Sequence, residues 1–301
     1  MDNPPSDMPY IGRFAPSPSG PLHFGSLVAA LGSYLDARAQ GGQWYVRIED
    51  IDPPREQPGA ADEILRTLDA LGLHWDGEVM WQSQRSEAYE AALDALRDEL
   101  FYCTCTRADL RPFAGVYPGT CRARTQMPLD TPSAIRLRTP DSALTFLDRR
   151  LGEQSLTPTD TGGDPILRRK DGLWAYQLAV VVDDGAQGIT DVVRGNDLLN
   201  TTAGQVYLQT RLGLPTPRYL HLPVVVDAEG RKLSKQNHAP AIDVTQQRPL
   251  LRAALQALGL NAPDLDASAL LKWGVANWLD NITQLRSGDV PQPITEQGLA
   301  S

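Results

Sequence analysis

Arg13-Phe-Ala-Pro-Ser-Pro-Ser-Gly-Pro-Leu-His-Phe-Gly-Ser26 decides the reading of this 301-residue chain. An apolar strand, Tyr10 to Phe14, runs into it; Pro16, Pro18, Gly20 and Pro21 make a turn; the apolar spacing beyond predicts a helix from Leu22 to about Arg38. His23 and Gly25 then stand at a helix N-terminus, where backbone N–H groups and the helix dipole favour a phosphate. A second signature, Lys232-Leu-Ser-Lys235, follows an expected strand (His221 to Val226) and a turn at Asp227-Ala-Glu-Gly230. Its lysines belong on a loop at a strand's carboxyl end, where open α/β sheets bind ligands. Either stretch alone is an ordinary connection or a solvated loop. Their order, with matching segments between them, points to a nucleotide site.

Working outward, a second strand (Gln43 to Glu49) and a helix from about Glu56 to Leu71 extend the first unit into a right-handed β-α-β arrangement. The fold class is α/β, a Rossmann-type doubly wound parallel sheet. A second half is expected from a strand at Leu173 to Asp183, the segment Gln187 to Arg194, a helix from about Thr202 to Leu212, and the strand before the lysine loop. Between the halves lie one amphipathic helix (Ser86 to Glu99), all three cysteines, and a polar stretch rich in proline and threonine reaching Pro165. Beyond Pro240, Pro249 to Leu258 and Ala267 to Leu279 have helical apolar spacing. The expected division is therefore residues 10–100, the first half; 101–165, an inserted subdomain; 166–240, the second half with the lysine loop; and 241–301, a short helical region.

A net charge of −9 argues against sequence-blind nucleic-acid binding, which needs a basic surface. Arg122, Arg124, Arg136, Arg138, Arg149, Arg150, Arg168, Arg169 and Lys170 are the local exception, to be read as a solvated face or as a phosphate track. No apolar stretch approaches membrane-spanning length, and the N-terminus lacks a signal-peptide pattern, so no membrane partner and a cytoplasmic location are expected. Cys103, Cys105 and Cys121 are too few and too clustered for a disulfide framework.

Together the run Arg13 to Ser26, Arg47-Ile-Glu-Asp-Ile-Asp-Pro-Pro-Arg55, Gly72-Leu-His-Trp-Asp-Gly77, Val193-Arg-Gly-Asn-Asp-Leu198, His221-Leu-Pro and Lys232-Leu-Ser-Lys235 resemble the catalytic domain of the glutamyl-tRNA synthetases, class I aminoacyl-tRNA synthetases of Rossmann type. The segments Trp81-Gln-Ser-Gln-Arg85, Tyr102-Cys-Thr-Cys-Thr106 and Lys235-Gln-Asn-His-Ala239 are similar to the short branch of that family, which esterifies glutamate to the queuosine base of tRNA(Asp). The resemblance covers Tyr10 to about Ala241. Only some sixty residues follow the lysine loop, which leaves no room for a large anticodon-reading domain, and a monomer is expected. Two departures stand out. Ser26 replaces the second histidine of the first signature, and Gly204 occupies a position where the family's Thr-x-Arg-Gln pattern has arginine, with a weakened tRNA contact as the expected consequence.

The resemblance implies that glutamate is activated with ATP and Mg2+ to an adenylate and then transferred to a nucleic-acid hydroxyl. Both steps develop negative charge, so positioning and preorganised donors carry the catalysis. His23, Gly25, Ser26, Lys232 and Lys235 are assigned to ATP, with His23 and Lys235 catalytic. L-Glutamate offers two carboxylates and an ammonium group. Arg13 and Arg194 suit the carboxylates as bidentate guanidinium forks, Glu49 suits the ammonium, and Tyr176 supplies a neutral hydroxyl from the expected strand of the second half. The resemblance adds contacts at Ala15 and Ser17. Three cysteine sulfurs are one ligand short of tetrahedral Zn2+, and the resemblance supplies Tyr117 as the fourth. The alternatives are a shortened glutamyl-tRNA synthetase charging the 3′ end of tRNA(Glu), and a catalytically silent paralogue that binds tRNA or nucleotide.

Overall fold

In the computed structural model, which describes residues 9–128, 130–226 and 240–286, β1 (Ile11–Phe14) leads through the proline turn into α1 (Phe24–Ala39) and back to β2 (Gln43–Ile48). The helix begins two residues beyond the expected Leu22, with His23 as its N-cap. It ends at Gly41 and Gly42. Gly41 has φ +64°, and a Cβ on Gly42 would lie 2.5 Å from the Tyr10 carbonyl, so both positions require glycine. After α2 (Ala60–Ala70), β3 (Met80–Trp81) completes three parallel strands in the order β1-β2-β3.

Next come α3 (Ser86–Ala95), β4 (Leu100–Cys103), the short α4 (Arg107–Leu110) and β5 (Ala134–Leu137). The hairpin of β6 (Leu144–Asp148) and β7 (Gly152–Leu156) follows, then the single turn α5 (Pro158–Thr161) and β8 (Ile166–Arg168). The second half consists of α6 (Tyr176–Ala186), β9 (Asp191–Gly195), α7 (Thr202–Arg211) and β10 (Arg218–Leu222). Helices α8 (Gln247–Ala257) and α9 (Ala267–Arg286) end the described chain.

A four-stranded sheet, β7-β6-β10-β9, meets the first sheet edge to edge at β1. The Thr190 N–H donates to the Ile11 carbonyl at 2.9 Å, and the Ile11 N–H donates to Thr190 Oγ1 at 2.9 Å. The doubly wound sheet therefore reverses direction between β1 and β9, and the crevice outside their carboxyl ends is the expected ligand position.

One expectation is corrected. Residues 173–183 are not a strand: Tyr176–Ala186 is the helix α6, with Leu178, Ala179, Val180 and Val181 all buried. Leu178 to Val181 form an unbroken buried run against α3, β8 and α7, and such a run reads equally as a buried strand. Strand pairing crosses the expected inserted segment 101–165. β6 lies parallel to β10 in the main sheet, whereas β8 pairs antiparallel with β5 in the small sheet β4-β5-β8. Such pairings join residues far apart in sequence and leave no local signal.

The C-terminal helices pack on α1. Leu251, Leu255, Leu270, Trp278 and Ile282 share a core with Leu27, Leu31 and Leu35 of α1 and with Trp44 and Val46 of β2. At its centre the fully buried Asp36 carboxylate accepts from Tyr10 Oη, from Arg149 Nη2 at 2.8 Å and from Trp278 Nε1 at 2.8 Å.

Much of the arginine cluster is interior. Arg136 and Arg150 are buried, Arg149 pairs with Asp36, and Arg122 pairs with the buried Asp164. Neither a solvated face nor a surface phosphate track describes these four.

Candidate active site

A cleft of about 1070 Å³ opens at the switch point between β1 and β9. Arg13, Ala15, Ser17, His23, Gly25, Ser26, Glu49, Tyr176 and Arg194 all line it, although they come from segments up to 181 positions apart. Lys232 and Lys235 lie outside the described residues. Gly204 of α7 also faces the cleft, with nothing within 4 Å of where a Cβ would stand, so this wall is open where the family pattern has a long cation.

One wall of the cleft is built from β1, β2 and α6. Arg13 is buried, and its Nε and Nη2 donate to the two oxygens of Asp184 at 3.0 and 3.2 Å. Arg47 lies beneath, fully buried, with Nη1 donating to Asp184 Oδ1 at 2.8 Å and to Gln187 Oε1 at 2.8 Å. Burial would raise the Asp184 carboxyl, but these two guanidinium groups hold it below the usual carboxylate range.

Glu49 closes this wall. Its backbone N–H donates to Pro16 O at 3.0 Å, tying the end of β2 to the proline turn. Its Oε1 is buried without a hydrogen-bond partner, and Arg47 Nη2, equally unpartnered, lies 3.5 Å away. Burial is the main cause that pushes the Glu49 carboxyl up to about 7, against the lowering effect of Arg47 and Arg13. An orphaned, desolvated carboxylate on the wall of a cleft suits an incoming cation.

Opposite stands Arg194, buried at the end of β9. Its Nε donates to His221 Nε2 at 3.2 Å, Nη1 to Gln205 Oε1 at 2.7 Å and to Tyr176 Oη at 3.4 Å, and Nη2 to Thr202 Oγ1 at 2.8 Å. Most of the fork expected to be free is already engaged. One Nη2 hydrogen and the long Tyr176 contact remain for a ligand. Tyr176 reaches this position from the first turn of α6, and burial raises its phenol, keeping it a neutral hydroxyl.

At the N-terminus of α1, the His23 Nδ1 accepts from the Ser26 N–H at 3.3 Å, which fixes the imidazole as the helix cap. The Ser26 N–H is thereby committed to His23.

Away from the cleft, the Cys103, Cys105 and Cys121 sulfurs all lie within 4.8 Å of one another, and Cys105 and Cys121 Sγ are 3.6 Å apart. The Tyr117 hydroxyl oxygen accepts from the Cys121 N–H at 2.6 Å. Burial would raise the Cys121 thiol, but hydrogen bonds led by that from the Thr104 backbone bring it down to about 7. Gly163 lets the chain pass: a Cβ there would sit 2.4 Å from Tyr117 O. The three clustered sulfurs are compatible with Zn2+, and Tyr117 packs in the same cluster.

Sequence reasoning missed Asp184, Arg47 and Asp148. The acidic pair Asp183-Asp184 followed an apolar run and read as a strand end; only the helical geometry of α6 turns Asp184 toward Arg13.

Fold and site define a class I tRNA synthetase: the family model for these synthetases (E and Q), catalytic domain, matches residues 11–113 and 120–258, and the chain belongs to that family. Within it the chain groups with the glutamyl-Q tRNA(Asp) synthetases and is an enzyme of the ligase type. It is 54% identical to that of Ectopseudomonas mendocina over 89% of this chain and 93% of that one. The Yersinia pestis protein of the same name is 52% identical over 94% of this chain and 89% of its own. Among solved structures, a glutamate tRNA ligase from Elizabethkingia meningosepticum in complex with its amino acid superposes with a TM-score of 0.72 at 25% identity, covering 88% of this chain and 64% of that one. No described helix is long and apolar enough to cross a membrane.

Proposed function

We propose that this enzyme activates L-glutamate with ATP and Mg2+ and transfers the glutamyl group to the queuosine base at the wobble position of tRNA(Asp). The observation that carries this reading is the convergence of Arg13, Glu49, Tyr176 and Arg194 with the capped N-terminus of α1 on one cleft. The names of relatives more than half identical to it support the particular acceptor.

In the first step a glutamate carboxylate oxygen bonds to the α-phosphorus of ATP, the bond to the bridging oxygen breaks, and pyrophosphate leaves. In the second, a hydroxyl of the queuosine ring attacks the acyl carbon, loses its proton, and AMP departs. Glu49 binds the ammonium group, and Arg13 and Arg194 hold the carboxylates, with Tyr176, Ala15 and Ser17 completing the pocket. His23, Gly25, Ser26, Lys232 and Lys235 serve the phosphates; for the two lysines the support is the sequence signature alone.

Zn2+, held by Cys103, Cys105, Cys121 and Tyr117, would order the small sheet and take no part in the reaction. The reading includes a cytoplasmic, monomeric enzyme.

The test is transfer of radiolabelled glutamate, with ATP and Mg2+, to tRNA pools that contain or lack queuosine. Label confined to the queuosine-containing pool is expected. Equal label on both pools would move the acceptor to the terminal adenosine, and no label at all would point to a silent paralogue.

A further inference from the structure

The cleft residues do not explain why two buried, ionisable side chains lie directly behind Arg194. His221 on β10 and Asp148 on β6 are both fully buried, and neither lines the cleft. Asp148 Oδ2 takes the His221 ring through Nδ1 at 2.7 Å and the His221 backbone N–H at 3.0 Å. Its Oδ1 accepts the N–H groups of Arg150 and Leu151 at 3.0 and 2.8 Å. Four donors on one carboxylate keep it ionised: burial would raise this carboxyl, but the hydrogen bond from His221 and those from Leu151 and Arg150 bring it below its ordinary range.

We propose that Asp148 and His221 act as positioning residues: Asp148 locks the His221 imidazole in the neutral Nδ1–H tautomer, whose bare Nε2 grips the Arg194 Nε–H and aims the guanidinium into the cleft. This rests on the reading that Arg194 holds a glutamate carboxylate. The tautomer follows from the inventory of donors. An ionised carboxylate only accepts and a guanidinium only donates, so the ring between them must donate at Nδ1 and accept at Nε2. The Nε2–H tautomer would oppose two donors at 3.2 Å and two acceptors at 2.7 Å. The Thr202 hydroxyl, 3.3 Å from Nε2, can donate to the same lone pair while its oxygen accepts from Arg194 Nη2. Two edges of the guanidinium are thus held from behind by the β6-β10-β9 pairing. Burial is the main cause that lowers the imidazole, and Arg194 and Arg150 act in the same direction against Asp148, which favours the neutral ring that the donor inventory requires.

Two substitutions separate aiming from scaffolding. His221→Asn keeps an amide N–H near the Nδ1 position for Asp148 but leaves nothing at Nε2; His221→Gln places an amide oxygen near Nε2 and gives up the bond to Asp148. Glutamate KM and kcat are measured by ATP–pyrophosphate exchange with tRNA present, and melting is followed in parallel. His221→Asn is expected to raise glutamate KM about tenfold, the loss of one hydrogen bond to a charged group, with a smaller effect on kcat. His221→Gln is expected to hold KM within about twofold even if it melts earlier. A folded His221→Asn protein with unchanged glutamate KM would overturn the inference, as would a larger KM effect in His221→Gln. Imidazole ¹⁵N shifts of the wild-type chain provide a readout independent of either variant. The Nδ1–H pattern is expected for His221, and an Nε2–H or doubly protonated ring near neutral pH would refute the relay. Arg194→Ala is measured alongside. If it leaves glutamate KM unchanged, the pocket assignment fails; if it raises KM while His221→Asn does not, only the relay fails.

Discussion

Glu49→Gln separates the proposed ammonium-binding role of this carboxylate from its cost to the fold. Burial lifts its carboxyl from 4.5 to about 7, so the ionised group is a liability to the free fold. At about 1.4 kcal/mol for each tenfold change in proton affinity, that interval amounts to about 3 kcal/mol. The sign follows from proton counting. Between pH 4.5 and 7 the folded chain holds a proton at Glu49 that the unfolded chain has released, so stability falls as pH rises through this window and the cost is complete above it. Glutamine has nearly the same shape and never ionises. The variant should match the wild type near pH 4.5 and gain on it as pH rises, melting about 6 °C higher at pH 8 for about 2 °C per kcal/mol. Binding should move the other way. With its ammonium partner gone, glutamate should bind at least about tenfold more weakly to the variant. The wild-type kcat/KM for glutamate should fall below about pH 7 as Glu49 takes its proton, whereas the variant's should lack this limb. Melting scans from pH 4.5 to 8.5 and glutamate-dependent exchange over pH 6 to 8 check both arms. A melting difference that does not change with pH, or an acid limb that survives in Glu49→Gln, would refute the argument that a buried carboxylate with one oxygen lacking a hydrogen bond is the ammonium site.

Lys235→Ala should abolish pyrophosphate exchange while calorimetry still detects glutamate binding; full exchange in that variant would contradict its assignment to the phosphates. Elemental analysis should find stoichiometric zinc in the wild type and a marked loss in Cys105→Ser, whereas a zinc-free wild type would remove the metal from the cysteine cluster. Trp278→Phe keeps the ring packed on α1 but deletes the indole N–H that reaches Asp36, so urea unfolding should show a loss of about 1.5–3 kcal/mol. Unchanged stability would mean that Tyr10 and Arg149 alone satisfy this carboxylate.

The parts of the site legible in the residues are those set by local geometry. The proline turn into α1, the imidazole at its N-cap and the strand-end positions of Arg13, Glu49 and Arg194 each depend on a few neighbouring residues, and turn chemistry or apolar spacing reports them directly. The helical spacing of Pro249 to Leu258 and Ala267 to Leu279 likewise marked α8 and α9, because one face of each meets α1 and the other meets water. Tyr176 was placed on the wrong element for the opposite reason. Four consecutive buried apolar residues, Leu178 to Val181, mask the helical period of α6.

Partners across the sheet were beyond the reach of the residues taken in order. Arg13 and Glu49 carried recognisable chemistry, but nothing local told that Asp184, 171 positions after Arg13, would bridge Arg13 and Arg47 while one Glu49 oxygen stays without a hydrogen bond. The same holds for Asp148 behind His221, and for the arginines that a linear reading took for one surface. The sequence by itself determined which strand-turn-helix builds the floor of the cleft and which charged residues reach it, since bond geometry and capping act over a few residues. Only the tertiary structure decided which of those charges are already paired and which face the cleft, because pairing across β1, β9, β10 and β6 is settled by packing between segments that share no neighbours in the chain.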